Sequence, residues 1–317
     1  MPWLRLARPR EDGEQTGLSV LLALGAACGW GFSDFVRASL SRRMSVLSIL
    51  MGVQLCAMTL VGIAQALLGG PPVGTDLAWG ALAGVGGVTG SSLLIFGYRV
   101  APVGVVCPTS AVAAAGLPLL VSVARGYVPP VSSFTAIAVG LVAVWLLSRG
   151  RGGNSELLQD APPPNLRWIG SWTGSGQSGV GDLTGALMGL GSGTGYALTY
   201  LSYDQASSAA GLWPVLGSQT VVVTVALLLA LARRQSLHVP ASELRLVLAA
   251  GVATAAALTC FLLATRSGPV TTVAVLVSMS PAVTITLATA LLKERTTARQ
   301  RLGFVLALAA AGILAAN

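Results

Sequence analysis

Charged residues are scarce in this sequence. Asp, Glu, Lys and Arg together make up only 9% of its 317 residues, whereas 54% are hydrophobic and the mean hydropathy is +0.76. A soluble domain carries about a quarter charged residues. Because so little charge cannot cover a water-facing surface, the composition excludes an ordinary soluble domain. It predicts an all-α integral membrane protein, whose backbone polar groups are satisfied within helices.

The residues and motifs of metal sites and enzymes are also missing. The one histidine, His238, lies in a polar stretch, and Cys28, Cys56, Cys107 and Cys260 lie inside apolar runs without a CxxC spacing. Cysteines in this pattern are typical of small buried hydrophobic side chains. No GxSxG, Walker or HExxH motif occurs. We therefore predict no enzymatic activity, no metal and no cofactor.

Ten uncharged runs, each about long enough to cross a bilayer, predict ten transmembrane helices. The segment between the fifth and sixth runs is rich in Gly, Ser and Pro and has no helical period, which predicts a linker. The formal charge of +8 comes from Lys and Arg near the ends of runs, where they anchor helices, so no nucleic-acid partner is predicted. The predicted spans are 15–40, 44–75, 77–98, 100–124, 126–148, 183–203, 205–232, 246–265, 267–292 and 302–317.

The two sets of five spans look like copies of each other. The glycine pattern of 25–32 superposes on that of 189–196, and the stretch 99–106 superposes on 266–273 with nearly the same shift in numbering. Because five helices is an odd number, the second copy must enter the membrane upside down. Such inverted repeats are common in secondary transporters, with the substrate site near the midplane. The predicted organisation is a polar tail 1–16, a first repeat 17–148, a linker 149–179 and a second repeat 180–317.

Four stretches together resemble a known family. They are WGFSDF at 30–35, APVGVV at 101–106, SYDQASSAAGLWP at 202–214, and the end of the chain from 268 to 310, with its Ser280-Pro281 pair and its KERTTARQRLG corner. In this order and spacing they resemble the EamA family of the drug/metabolite transporter superfamily, over nearly all of the chain after residue 16. The resemblance implies a transporter with a central cavity lined by spans 1, 3, 4, 6, 8 and 9.

Asp34 is the only acidic residue well inside a predicted span, and such a residue is a functional candidate by default. Arg37 lies three residues further on, on the same helix face. Two interpretations are open: a neutral Asp–Arg pair that fixes span 1, or a substrate or proton site that faces the cavity. The usual EamA pattern has a neutral residue at this position. The predicted cavity lining comprises Trp30, Ser33, Asp34, Ser92, Thr109, Tyr196, Thr199, Tyr200, Thr259, Ser278 and Ser280.

Glycine and proline suggest how the spans pack. Glycines four apart on spans 1, 3 and 6 allow close helix approach, either for packing alone or for sliding during transport. Pro108, Pro118 and Pro281 are expected to kink spans 4 and 9. Arg99 and Arg266 are repeat-related and close spans 3 and 8, as anchors or as gate contacts.

These patterns favour a secondary transporter that works by alternating access. The preferred form is a proton-coupled exporter of an amino acid, a nucleoside-like metabolite or a hydrophobic drug cation, with Asp34 as the proton acceptor. A non-transporting scaffold or subunit, and an importer or facilitator of the same fold, are the alternatives. The expected partners are a small-molecule substrate, membrane lipid and protons, and the chain is a monomer or a homodimer.

The expected location is a bacterial plasma membrane. With ten spans, both termini lie on one side, which carries five basic residues against fourteen on the other. The charge count favours termini outside, whereas the EamA resemblance implies cytoplasmic termini.

Overall fold

The computed structural model describes residues 13–40, 43–100, 103–126, 131–148 and 178–291, with single residues and pairs between 298 and 313. Nearly all of the predicted linker and most of the last predicted span lie outside the described residues. Within the described ranges the regular structure is helical, without strands, so the all-α prediction is confirmed.

Ten helices can be numbered along the described chain. Most bounds lie within a few residues of the predicted spans. The larger differences are that α2 ends at Leu68 rather than at 75, α5 begins at Val131 rather than at 126, α6 begins at Ser178 rather than at 183, and α7 begins at Trp213 rather than at 205. The Gly-Gly-Pro-Pro stretch at 69–72 ends α2, and Pro214 suits the first turn of α7. The helices of the first half are α1 (Gly13–Leu40), α2 (Val46–Leu68), α3 (Gly74–Val100), α4 (Val103–Ala124) and α5 (Val131–Ser148). Those of the second half are α6 (Ser178–Gln205), α7 (Trp213–Ala232), α8 (Leu244–Ser267), α9 (Val270–Val277) and α10 (Ser280–Leu291).

Five of the described helices are long and apolar enough to cross a membrane. They contribute Gly17–Arg37, Leu47–Leu68, Gly74–Leu94, Trp213–Ala232 and Leu244–Ser267. Two shorter apolar segments, Thr109–Ala124 and Val270–Thr284, lie in α4 and across α9 and α10. The chain is therefore a multi-pass helical membrane protein by length and composition, and the count of ten spans stays a prediction.

The ninth predicted span is not one helix. It divides at Ser278 and Met279 into α9 and α10, because Pro281 in the first turn of α10 has no N–H to continue the ladder. The Ser278 hydroxyl donates to the Ala274 carbonyl at 2.7 Å and caps the end of α9. Pro108 and Pro118 lie within α4, which continues through both, as transmembrane helices allow when neighbours satisfy the freed carbonyls.

Most of the packing joins one half of the chain to the other. Contacts at both ends of each pair fix the relative directions: α1 runs antiparallel to α8, and α3 runs antiparallel to α6. By the same criterion α2 runs parallel to α8, and α3 runs parallel to α7. The helices α2 and α7 are antiparallel, because Gly62 lies beside Leu216 and Gln65, further along α2, binds Leu212 at the start of α7. It follows from this chain of directions that α1 and α6, the first helices of the two halves, run in opposite directions.

The crossings of α1 with α8 and of α6 with α3 are equivalent in detail. The Ser33 hydroxyl on α1 donates to the Ala250 carbonyl on α8 at 3.2 Å, and the Thr199 hydroxyl on α6 donates to the Ala83 carbonyl on α3 at 2.9 Å. Ser33 in α1 therefore corresponds to Thr199 in α6, and Ala83 in α3 corresponds to Ala250 in α8. These two pairs of positions define a register that relates the two halves.

The superposition of 25–32 on 189–196 that the sequence predicts differs by two positions from the register of these contacts. Gly29 packs on α8, but Gly193, its predicted counterpart, packs against Ser110 and Ala113 of α4. Gly195 packs on α3 in the way that Gly29 packs on α8. A helix rich in glycine offers several similar glycine patterns, and only the contacts across the crossing decide among them.

Backbone approaches backbone where α6 crosses α3. A Cβ atom at Gly195 would lie 2.6 Å from the Gly90 nitrogen and 2.8 Å from the Gly86 carbonyl oxygen. Both neighbours are backbone atoms of a helix, so neither can yield by a change of side-chain rotamer. This crossing requires glycine, as the close-packing interpretation of the glycine-rich spans expects.

Gly195→Ala should therefore destabilise the protein, whereas Gly116→Ala should not. The new methyl group at residue 195 forces α3 and α6 apart, at a cost of about 1–3 kcal/mol in the free energy of unfolding. A Cβ at Gly116 in α4 would meet nothing within 4 Å. Thermal melting of the two purified variants in detergent measures the difference, and equal melting temperatures would contradict the tight crossing.

Candidate functional site

The predicted Asp34–Arg37 pair forms near the C-terminal end of α1. The Asp34 carboxylate lies 3.5 Å from the Arg37 guanidinium, and the Asp34 side chain is 52% exposed. Arg37 is 28% exposed and turns its other terminal nitrogen to the Thr254 hydroxyl on α8, at 3.0 Å. The ion pair is therefore held to α8 through the arginine, while the carboxylate stays accessible.

Thr254 organises this end of the α1–α8 crossing. Its hydroxyl accepts from Arg37, lies 2.8 Å from the Ser33 hydroxyl and donates to the Ala250 carbonyl at 2.8 Å. Thr254 and Ser33 are both buried. Ser33, which was predicted to line the cavity, therefore takes part in a contact between α1 and α8. The sequence alone did not single out Thr254, because α8 carries four hydroxyl side chains and nothing in its sequence distinguishes this one from Thr259.

Four aromatic side chains meet where α1, α6 and α8 come together; we call them the aromatic cluster. Phe261 on α8 is fully buried at its centre, with ring centroids 5.5 Å from Trp30, 5.0 Å from Tyr200 and 5.8 Å from Tyr203. The tilted ring arrangements are typical of favourable aromatic pairs. The cluster therefore joins the first helix of each half through one phenylalanine.

Both tyrosine hydroxyls of the cluster have partners. The Tyr203 hydroxyl is hydrogen-bonded to the Ser218 hydroxyl on α7, and the Tyr200 hydroxyl faces the Ser278 side chain. Ser278 ends α9, so the cluster is connected to the break between α9 and α10. Trp30, Tyr200 and Ser278 were predicted to line one site, and the structure brings them together. Phe261, one of only six phenylalanines, was missed.

The remaining predicted residues are distributed over several environments. The Thr109 hydroxyl bonds the Val106 carbonyl at 3.0 Å where α4 meets Gly189, and Thr199 bonds α3, so both take part in helix contacts. Tyr196 is half-buried and packs against the same apolar core as the aromatic cluster. Ser92 is exposed on α3, Thr259 is half-buried on α8, and Ser280 begins α10 beside Gly31.

A cavity of about 200 Å³ lies at the end of α6, between α3 and α4. It is smaller than most ligand pockets, which range from about 300 to 1,000 Å³. None of the predicted lining residues borders it. Its walls are Trp79, Leu82, Arg125, Leu198, Leu201, Ser202 and Gln205.

The described helices define a multi-pass integral membrane protein. Residues 183–316 match the sequence model of the EamA-like transporter family, which confirms the resemblance over the second half of the chain. That family points to a non-enzymatic transporter.

Solved structures share the fold. A structure described only as "Crystal structure of protein" superposes with a TM-score of 0.67 at 15% identity, over 93% of this chain and 95% of that chain, and 19 solved chains match in all. At this identity the likeness shows the fold alone. A search of curated proteins found no match.

Thr254→Val should destabilise the protein by about 1–3 kcal/mol, the usual effect of leaving buried polar partners unsatisfied. Valine keeps the shape of threonine but removes the group that Arg37 and Ser33 contact. Thr220→Val on α7 is the matched control, because Thr220 is exposed and bonds only the Leu216 carbonyl of its own helix. Chemical denaturation in mixed micelles should separate the two variants; equal midpoints would show that the Thr254 contacts contribute nothing.

Phe261→Ala should have the larger effect, about 3–5 kcal/mol, because it leaves a void that three rings surround. Leu263→Ala is the control on the same helix, since Leu263 is 38% exposed. The expected result is a lower melting temperature and a changed tryptophan emission, from the altered surroundings of Trp30, in the Phe261 variant alone. A variant as stable as the Leu263 control would exclude the cluster as a packing centre.

Proposed function

We propose that this protein is a secondary transporter that moves a small metabolite, amino acid or drug-like molecule across the membrane by alternating access. The observation that carries the proposal is the match of residues 183–316 to the EamA-like transporter family. The multi-pass helical fold agrees with it.

The proposed architecture is ten spans in a 5+5 inverted repeat, with repeats at 17–148 and 180–317. The opposite directions of α1 and α6 support the inversion. The equivalent hydrogen bonds of Ser33 and Thr199 support the duplication, because both join the first helix of one half to the third helix of the other. In an inverted repeat the substrate site lies between the halves near the midplane.

The aromatic cluster lies between the two halves and is the centre of the proposed substrate site. Aromatic faces with a few hydroxyl groups suit an amphipathic solute or a hydrophobic cation, since a cation is attracted to the ring face. Trp30 and Tyr196 are both half-buried, and both come from the first helix of their repeat. Opening the contact around Phe261 would expose these rings to a solute.

Asp34 is the proposed proton acceptor. Its carboxylate is accessible, and its ion pair with Arg37 is loose at 3.5 Å. Arg37 keeps its bond to Thr254 when Asp34 is protonated. The arginine therefore still has a hydrogen-bond partner when Asp34 loses its charge. Uptake and release of a proton at Asp34 would couple export of the substrate to the proton gradient.

Flux into sealed liposomes tests the proposal. We expect saturable uptake of at least one labelled compound from a panel of amino acids, nucleosides and cationic drugs, and uptake should rise with an imposed pH gradient. Asp34→Asn should retain saturable binding and lose the pH dependence. Asp204→Asn, at the end of α6, is the matched control, because it removes a carboxylate outside the proposed lining. This variant should keep the pH dependence of uptake.

Each alternative has its own result in this assay. Saturable flux that ignores pH in the unmodified protein would exclude Asp34 as the coupling group and favour a facilitator. No flux for any compound, beside empty liposomes, would favour a membrane scaffold. The close backbone crossing at Gly195 and the hydroxyls bonded to helix carbonyls are the observations that favour a scaffold.

A further inference from the structure

Two acidic residues occupy equivalent positions at the N-terminal ends of α3 and α8. Asp76 corresponds to Glu243 in the same register that relates Ala83 to Ala250. The Asp76 carboxylate accepts a hydrogen bond from the Ser207 backbone N–H at 2.7 Å, and the Glu243 carboxylate accepts one from the Arg43 guanidinium at 3.1 Å. Each acid therefore holds a turn that belongs to the other half of the chain.

The two turns are themselves equivalent. Ser207 lies in the turn between α6 and α7, and Arg43 lies in the turn between α1 and α2. α1 and α6 run in opposite directions, so the two turns lie at opposite ends of the molecule. We call the Asp76–Ser207 contact the α6–α7 latch and the Glu243–Arg43 contact the α1–α2 latch.

A second pair of contacts repeats the same symmetry beside the latches. The Ser48 hydroxyl at the start of α2 donates to the Ser236 carbonyl at 3.3 Å, and the Trp213 indole at the start of α7 donates to the Gly70 carbonyl at 3.1 Å. In the register that relates Ser33 to Thr199, the acceptor Gly70 corresponds to the acceptor Ser236. In the same register the donor Ser48 falls one residue away from the donor Trp213. Two independent sets of contacts thus join equivalent positions, which one chance alignment would not produce.

The latches differ in their exposure to water. Asp76 is buried, and Arg266 reinforces the α6–α7 latch by donating to the Ser207 carbonyl at 3.0 Å and the Gly211 carbonyl at 2.7 Å. Gln65 adds a bond to the Leu212 N–H of the same turn. In the α1–α2 latch the acid Glu243 is buried as well, but its partner Arg43 has a side chain that is 66% exposed. Exposed ion pairs contribute little because water screens them, whereas buried charge-assisted bonds are stronger.

Each latch closes the end of a helix that carries part of the proposed site. The turn held by Asp76 follows the end of α6 that carries Tyr200 and Tyr203. The turn held by Glu243 follows the end of α1 that carries Asp34 and Arg37. Release of either turn would free the adjoining helix end and open the site towards that side of the membrane.

We propose that Asp76 and Glu243 are the repeat-related latch residues of two gates at opposite ends of the protein, which open alternately. The α6–α7 gate is the one held firmly shut in this structure, and the α1–α2 gate is the one that opens more readily. The inference rests on the proposed alternating access, and it identifies the residues that control it.

Two equivalent reporters test the proposal without a substrate. Met44 and Ala210 correspond to each other in the register that relates Ser33 to Thr199, and both are buried in the latched turns. Met44→Cys and Ala210→Cys are made separately in a chain whose four native cysteines are replaced by alanine. The rate of labelling by a polar maleimide is then measured on the purified full-length protein in detergent, and the protein must elute as a single species in size-exclusion chromatography.

Asp76→Asn should raise the labelling rate at residue 210 about tenfold, the change expected when the accepting oxygen loses its charge and the hydrogen bond is weakened, and should lower it at residue 44. Glu243→Gln should do the reverse, with a smaller change. Thr75→Val and Arg245→Gln are the controls, because both replaced side chains are exposed beside the latch acids. Neither control should change either rate.

Ser207→Pro is the second variant for the α6–α7 latch, in case Asp76→Asn does not fold. Ser207 has a φ of −63°, which proline adopts, and the substitution removes the N–H that Asp76 accepts. It should give the same reciprocal pattern. If the labelling rate rises only in the turn next to the substitution and does not fall in the other turn, the latches are static caps and the proposal is overturned. Unchanged labelling rates at both residues would also overturn it. Absence of flux in liposomes with reciprocal labelling would instead reject the transport function and retain the two gates.

Discussion

The structure depends on the packing of each half of the chain against the other. α1 lies on α8 and α6 lies on α3, and both crossings use glycine where one helix meets its partner's backbone or small side chains. Lipid provides no hydrophobic force between apolar helices, so close van der Waals contact and interhelical hydrogen bonds hold them together. The aromatic cluster, the Thr254 contacts and both latches all lie on or beside these crossings, and a shift of one crossing would move all of them.

Composition and run length predict the helical class and most helix positions within a few residues, because each depends on local hydropathy. The i, i+3 spacing also predicts the Asp34–Arg37 pair, which forms within one helix. Thr254 and Phe261 could not be predicted in this way. Their partners lie on other helices, and no periodic signal connects positions so far apart in the sequence. The break at Ser278 illustrates another limit: proline predicts an interruption, but the surrounding packing decides whether it becomes a kink, a break or a continuous helix like α4.

Approximate symmetry with unequal strength is what a two-gate mechanism requires. Identical gates would have equal populations. Here both acids are buried, but the partner of Asp76 is supported by further hydrogen bonds and the partner of Glu243 is an exposed arginine, so one state becomes the resting state. The difference arises from a few side chains: Arg266 and Gln65 support the α6–α7 turn. Ionic strength should act mainly on the exposed end, because salt screens exposed charges more than buried ones.

The dominance of contacts between the halves has a consequence for biosynthesis and for descent. Helices made early in translation cannot complete their packing until α6, α7 and α8 have been inserted, so the nascent first half must remain in the membrane with unfilled glycine surfaces. The same geometry means that the interface resembles that of an antiparallel dimer joined by a covalent connection. The proposed inverted duplication is what fusion of two copies of a half-sized chain, inserted in opposite orientations, would produce.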